Sequence, residues 1–203
     1  NITTEKSIEF DSNEGKELIR KYQIMKIPTL VVTGELNKVS IKGLDLSGDA
    51  LLLNKIPPPY TNATTGQVHG RVSLTLLMDE SCDKCNDLRL LINQLKQSGV
   101  KIDEESNVSI DSAEGKQLSS NYNIYFAPTL ILSQDASEYS IVQQAWQQIV
   151  RKENDGSYVL RIAYPPYVNL TTGKVRGLID VIYLNDSSCP ECYDVRIHKQ
   201  LLT

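Results

Sequence analysis

The chain repeats itself at two fixed offsets, and this limits its possible folds more than any local pattern does. Asp11-Ser12-Asn13-Glu14-Gly15-Lys16, followed by Tyr22, Ile24 and Ile27-Pro28-Thr29-Leu30, recurs 100 positions later as Asp111-Ser112-Ala113-Glu114-Gly115-Lys116, Tyr122, Ile124 and Ala127-Pro128-Thr129-Leu130. Tyr60-Thr61-Asn62 through Gly66 recurs 107 positions later as Tyr167-Val168-Asn169 through Gly173, and Cys82 and Cys189 keep that second offset. Self-similarity at constant spacing marks out the piece that folds as a unit. Residues 58–166 hold one complete unit. Residues 167–203 hold the opening half of another and residues 1–57 the closing half, and together they lack only the equivalents of residues 97–100. Neither half has enough apolar partners to cover its own face. The expected architecture is therefore α/β, with one complete domain and a second assembled from the two end segments. That assembly is either a circular permutation within one chain or a swap between chains; a piece excised from a longer tandem array is the remaining possibility.

Local patterns place elements within this frame. Residues 5–10 read as a strand ending on Ile8 and Phe10, and Asn13 to Tyr22 as an amphipathic helix capped by Ser12 or Asn13. Ile27 to Val32 reads as a strand entered through Pro28, with a turn at Gly34-Glu35 and a return strand from Lys38 to Lys42. Asp45 to Lys55 reads as a short helix, and Pro57-Pro58-Pro59 as a boundary. In the complete unit the expected order is a strand to Met78, a helix from Cys82 to Gln97, a strand at 108–111, a helix at 113–122 and a strand at 129–132. A longer helix at 140–151 around Trp146 and a strand at 158–162 complete it, closed by Pro165-Pro166. Trp146, Tyr22 and Tyr122 are core candidates, and His69 and His198 surface residues.

All four cysteines lie in two Cys-x-x-Cys pairs, Cys82/Cys85 and Cys189/Cys192, each after an apolar run and before a helical pattern. At a helix start the first sulfur meets unpaired N–H groups, which stabilise a thiolate. Asp79, Glu80 and Asp186 oppose it. Lys84 favours the thiolate at Cys82 and Glu191 opposes it at Cys189, so Cys82 is predicted to be the better nucleophile.

The order strand, Cys-x-x-Cys helix, strand, helix, Pro-Thr strand, hairpin resembles the thioredoxin superfamily over nearly the whole chain. Two such units resemble the tandem protein disulfide oxidoreductases and isomerases. The resemblance implies a cis-proline loop opposite the cysteines, with Pro128 facing Cys82 and Cys85, and Pro28 facing Cys189 and Cys192. It also implies that Ile27 and Ala127, each preceding its proline, pair with an extended peptide substrate. Cys82 or Cys189 would attack a disulfide, and Cys85 or Cys192 would resolve the mixed disulfide.

Composition narrows the alternatives. A net charge of −4 argues against nucleic acid as a partner, and no run approaches the ~20 apolar residues of a membrane span. Asn-x-Ser/Thr sequences at Asn1, Asn62, Asn107, Asn169 and Asn185 point to an extracytoplasmic or secreted protein. No phosphate loop, serine triad or carboxylate metal cluster is evident, and no cofactor is expected. One Cys₄ zinc site is disfavoured by the long gap between the pairs, whereas a closed structural disulfide in each unit stays open. Two functions follow: an oxidoreductase acting on protein thiols and disulfides, or a structural repeat protein of a surface or filament that self-associates head to tail.

Overall fold

The computed structural model describes residues 2–36 and 41–201. The leading segment carries helix α1 (Asn13–Tyr22) and strands β1 (Lys26–Ile27), β2 (Val31–Thr33), β3 (Asp45–Ser47) and β4 (Ala50–Leu52), the last three forming a sheet in the order β2-β4-β3. β5 (Tyr60–Asn62) and β6 (Val68–His69) form a hairpin. After it come β7 (Val72–Met78), α2 (Arg89–Gln97), β8 (Ile102–Ser109), α3 (Ala113–Asn121), β9 (Phe126–Ala127) and β10 (Thr129–Leu132). Then follow α4 (Ser140–Gln144), β11 (Val150–Lys152), β12 (Tyr158–Leu160) and the hairpin of β13 (Tyr167–Asn169) and β14 (Lys174–Arg176).

The complete unit is built on a five-stranded mixed sheet in the order β11-β12-β10-β7-β8. β7 runs parallel to β8, and the other pairings are antiparallel. β7 alternates apolar and polar residues, Val72-Ser73-Leu74-Thr75-Leu76, and then adds Leu77; it takes an inner position between β10 and β8, with Val72, Leu74 and Leu76 buried and Ser73 and Thr75 half-buried. Val72, Leu74 and Leu76 pack with Leu91, Ile92 and Leu95 of α2 and with Trp146, while Leu77 packs with Val108, Ile124, Ile131 and Val159. Burying each such leucine or isoleucine contributes about 1.5–3 kcal/mol.

Two three-stranded sheets share one design. β1-β5-β6 pairs Ile27 with Thr61, and β9-β13-β14 pairs Ala127 with Val168. The turn in each hairpin is written locally: Asn62 Oδ1 accepts from the Thr64 and Thr65 N–H groups, and Asn169 Oδ1 from Thr171 and Thr172. Tyr60 of the first junction donates its hydroxyl to Glu138 at 2.7 Å, beneath the Lys26 ammonium 4.0 Å from the ring centroid. Burial, then the Glu138 bond, pushes the Tyr60 phenol up to about 12. A raised folded-state value means this stabilisation is complete below the unfolded value near 10 and is lost as pH climbs through 10 towards 12. Urea midpoints across that window are expected to fall less steeply in Tyr60→Phe than in the parent.

Each unit also needs a glycine where its helix meets the preceding segment. Ser12 and Ser112 cap α1 and α3 by accepting from the Gly15 and Gly115 N–H groups at 3.0 and 2.9 Å. A β-carbon on Gly115 would stand 2.0 Å from the Ser109 carbonyl oxygen, and one on Gly15 2.2 Å from that of Glu9. The obstacle is backbone, so it cannot swing aside. Gly115→Ala is expected to destabilise the complete unit by about 1–3 kcal/mol, read as a lower urea midpoint at unchanged slope.

Several sequence expectations change. Asp45 to Lys55 is no helix but the hairpin β3-β4, turned at Gly48 with φ +59°; the short apolar trio Ala50-Leu51-Leu52 fits either element by periodicity, and pairing on both sides decided for strand. The helix expected at 140–151 breaks after Gln144, passes through a 3₁₀ turn at Trp146–Gln148 and becomes β11, because Val150 to Lys152 finds β12 as a partner. Trp146 is buried, as is Tyr22, while Tyr122 is half-buried with its hydroxyl on Asp155. Residues 5–10 form no strand. Of the expected return strand, residues 38–40 lie outside the described residues, and Ile41-Lys42 is not extended into a sheet.

Candidate redox site

β7 ends at Met78, and a tight turn built from neighbouring residues carries the cysteines. Asp79 Oδ1 accepts from the Ser81 N–H at 2.9 Å and from its hydroxyl at 2.6 Å, the Cys82 N–H reaches the Asp79 carbonyl, and the Cys85 N–H reaches that of Cys82, both at 3.2 Å. Cys82 and Cys85 are joined by a disulfide and are both half-buried.

The helix does not start at Cys82 as expected. It starts at Arg89, because Asn86 Oδ1 takes the Leu88 N–H and Asp87 Oδ1 takes the Arg89 N–H, with Leu88 at φ 56° turning the chain between them. The Arg89 N–H, foremost, holds the Asp87 carboxyl below the usual carboxylate range. The free N–H groups of α2 are thus turned to carboxylate and amide oxygens, and the sulfurs lose the electrostatic help predicted for them.

Pro128 lies between β9 and β10 after a cis Ala127–Pro128 bond, and it is buried. The β10–β7 register, Thr129 opposite Leu77, sets Pro128 across from Met78, at the end of β7 from which the Cys82 turn departs. Complete unit, cysteines and proline segment therefore share one sheet end. Ala127 is not free to receive a peptide along its backbone, since β9 pairs it with Val168; Ile27 is paired likewise with Thr61.

A contact the sequence reading overlooked closes this end. The Asn86 N–H donates to the Pro166 carbonyl at 2.7 Å and the Asn86 side-chain amide to that of Pro165 at 3.4 Å, tying the loop after Cys85 to the junction. The signal was present: Pro58-Pro59 and Pro165-Pro166 stand at the 107 offset, as do Gly70 and Gly177, whose β-carbons would lie 2.4 Å from Pro58 and Pro165.

The second pair repeats the turn but not its surroundings. Asp186 Oδ1 accepts from Ser188 as Asp79 does from Ser81, the Cys192 N–H reaches Cys189 O at 3.2 Å, and the disulfide is closed. The Ser188 hydroxyl and then its N–H hold the Asp186 carboxyl below its usual range, fixing a negative charge near Cys189. Among the described residues no strand pairing or hydrogen bond joins the segment after Gly177 to the rest of the chain. The apolar run expected as a strand is exposed coil, and the expected helix after Cys192 is a 3₁₀ turn at Val195–Leu201. Pro28, its bond to Ile27 also cis, is exposed. The structure therefore places the Cys82–Cys85 turn and the Ala127-Pro128 segment at one end of the five-stranded sheet, and among the described residues no strand pairing or hydrogen bond joins the Cys189–Cys192 segment to Ile27 or Pro28.

His69 stacks on Tyr60, and His198 is exposed beside Tyr193. Among the described residues no three of His, Cys, Asp and Glu are grouped to hold a metal ion, and no helix is long and apolar enough to cross a membrane. No protein-family model, curated protein or solved structure matches the chain.

Proposed function

We propose that the chain is a thiol–disulfide oxidoreductase made of thioredoxin-like units, residues 58–166 forming one and residues 1–57 and 167–203 being complementary halves of another. The observation that carries this reading is the half-buried Cys82–Cys85 disulfide on the turn leaving the inner strand β7, at the sheet end that also holds Pro128. In the reduced form the Cys82 thiolate attacks a substrate disulfide; the substrate S–S bond breaks and the departing sulfur takes a proton. Cys85 then attacks the Cys82 sulfur of the mixed disulfide, releasing the second substrate thiol and restoring Cys82–Cys85. Two electrons pass to the substrate, and an external dithiol returns them. The acidic neighbours and the distant helix start oppose the thiolate, so the pair is a weak oxidant rather than a strong one. Both pairs remain oxidised most readily in an extracytoplasmic compartment, where we place the protein.

A second reading, a structural repeat protein with both disulfides as staples, is favoured by one observation: the backbone of Ala127, which the resemblance assigns to the substrate, is already paired with Val168. Turnover of a disulfide-bonded protein with a dithiol donor separates the two. No rate above that of the Cys82→Ser, Cys189→Ser double variant would establish the staples.

A further inference from the structure

The backbone that an incoming polypeptide would meet at the Cys82 end is taken by the chain itself. β7 and β10 have both edges paired, and β9, which leads into Pro128, carries β13 along its edge with Val168 opposite Ala127 and Asn169 opposite Phe126. The Leu170 N–H extends this pairing to the Tyr125 carbonyl at 2.9 Å. Side chains follow the same alternation. Val168 is 4% exposed, and Leu170 packs against the cluster of Leu77, Val108, Ile124, Ile131 and Val159. Just upstream, the Pro165 and Pro166 carbonyls accept the two bonds from Asn86, next to Cys85. Residues 165–170 therefore run without a break from the loop after Cys85 to the strand before Pro128.

This run has the features of a bound peptide: it is extended, paired through its backbone along one edge and anchored by alternate side chains. Its hold is also short. β13 has three residues, and neither it nor β14 contributes to the five-stranded sheet, so the hairpin can lift while that sheet stays formed.

We propose that the β13–β14 hairpin is an internal stand-in for the substrate, closing the Cys82–Cys85 site at rest. The substrate is an extended, unfolded polypeptide that displaces it along Phe126-Ala127, with aliphatic side chains in the places of Val168 and Leu170. This deepens the oxidoreductase reading and rests on it. A folded partner, its backbone already paired, has no strand to exchange, and a small disulfide needs none. While the hairpin is down an unfolded polypeptide finds no edge, so its apparent affinity is lowered by the fraction of chains that are open. Release therefore acts on KM and leaves kcat alone.

The test uses residues 1–203 with two substrates, an unfolded disulfide-bonded protein and glutathione disulfide, and an external dithiol as donor. Val168→Glu sets a charge at a buried position that the closed hairpin cannot hold unpaired, and hydrogen exchange at the residue-170 amide reads the release. The expected result is a KM for the protein lowered by about tenfold, with kcat and the glutathione disulfide rate unchanged. Val168→Ile is expected to keep the parent KM. A peptide of residues 165–177, which holds no cysteine, is expected to raise the KM of the Val168→Glu chain again. Should Val168→Glu fail to fold, or leave the hairpin in place, Val168→Ser with Leu170→Ser removes both anchors and is read in the same way. A parent KM in a chain whose residue-170 amide has lost protection overturns the proposal and leaves the oxidoreductase reading standing, as does an equal change with both substrates. Turnover absent from the parent and the released chain alike overturns that reading, and the proposal with it.

Discussion

Cys82→Ser is expected to bring disulfide reduction by the complete unit down to the uncatalysed background, and Cys85→Ser to accumulate a mixed disulfide with the substrate. The asymmetry comes from the order of bond making: without the first sulfur no adduct forms, and without the second the adduct is not resolved. Turnover of a disulfide-bonded protein measures the first effect, and intact-mass analysis of the quenched reaction the second. Cys189→Ser is expected to retain most of the rate, because among the described residues no strand pairing or hydrogen bond ties its segment to the rest of the chain, and Asp186 and Glu191 oppose its thiolate. The Cys82 turn also carries Asp79, Glu80 and Asp83, with Lys84 as the compensating charge. Reduced Cys82 should accordingly react with an alkylating reagent at lower pH than Cys189. Equal rates for the parent and Cys82→Ser would leave the Cys82–Cys85 bond as a staple.

The second large effect separates two positions 100 residues apart. Leu132→Ala is expected to cost about 2–5 kcal/mol, because Leu132 is 0% exposed on a strand with partners on both sides, and the cavity left cannot collapse. Val32→Ala, at the equivalent place on β2, is expected to cost about 1 kcal/mol or less, since its side chain is half-buried. Urea unfolding with the slope held constant gives both numbers. Comparable losses at the two positions would mean that the leading segment's core is already closed.

Much of this was legible in the residues. The offsets of 100 and 107 stand in the residues themselves, and the Asp79, Asn62 and Ser112 turns form as their side chains require, because each bond spans three residues or fewer. What was misread is instructive. The Cys82 helix start failed because Asn86 and Asp87 offer the backbone closer oxygen partners than a helix would. The span from Asp45 to Lys55 failed because three adjacent apolar residues carry no period, and their structure was set by β2 and β3.

The disulfide turns show the division most clearly. Cys82–Cys85 and Cys189–Cys192 adopt the same hydrogen-bonded turn, one inside a packed unit and the other on an exposed segment, so that geometry needs nothing beyond the adjacent residues. The apolar runs before them behave oppositely. Residues 72–78 form an inner strand and their equivalents at 179–185 form none, although both are rich in strand-forming side chains. A turn closes its bonds on itself, whereas a strand must borrow partners from distant segments, here β8 and β10. Local sequence therefore determined the turns, the caps and the repeat; which apolar run became a strand, and which of the two equivalent prolines is buried, was decided by which distant backbone was there to pair with it.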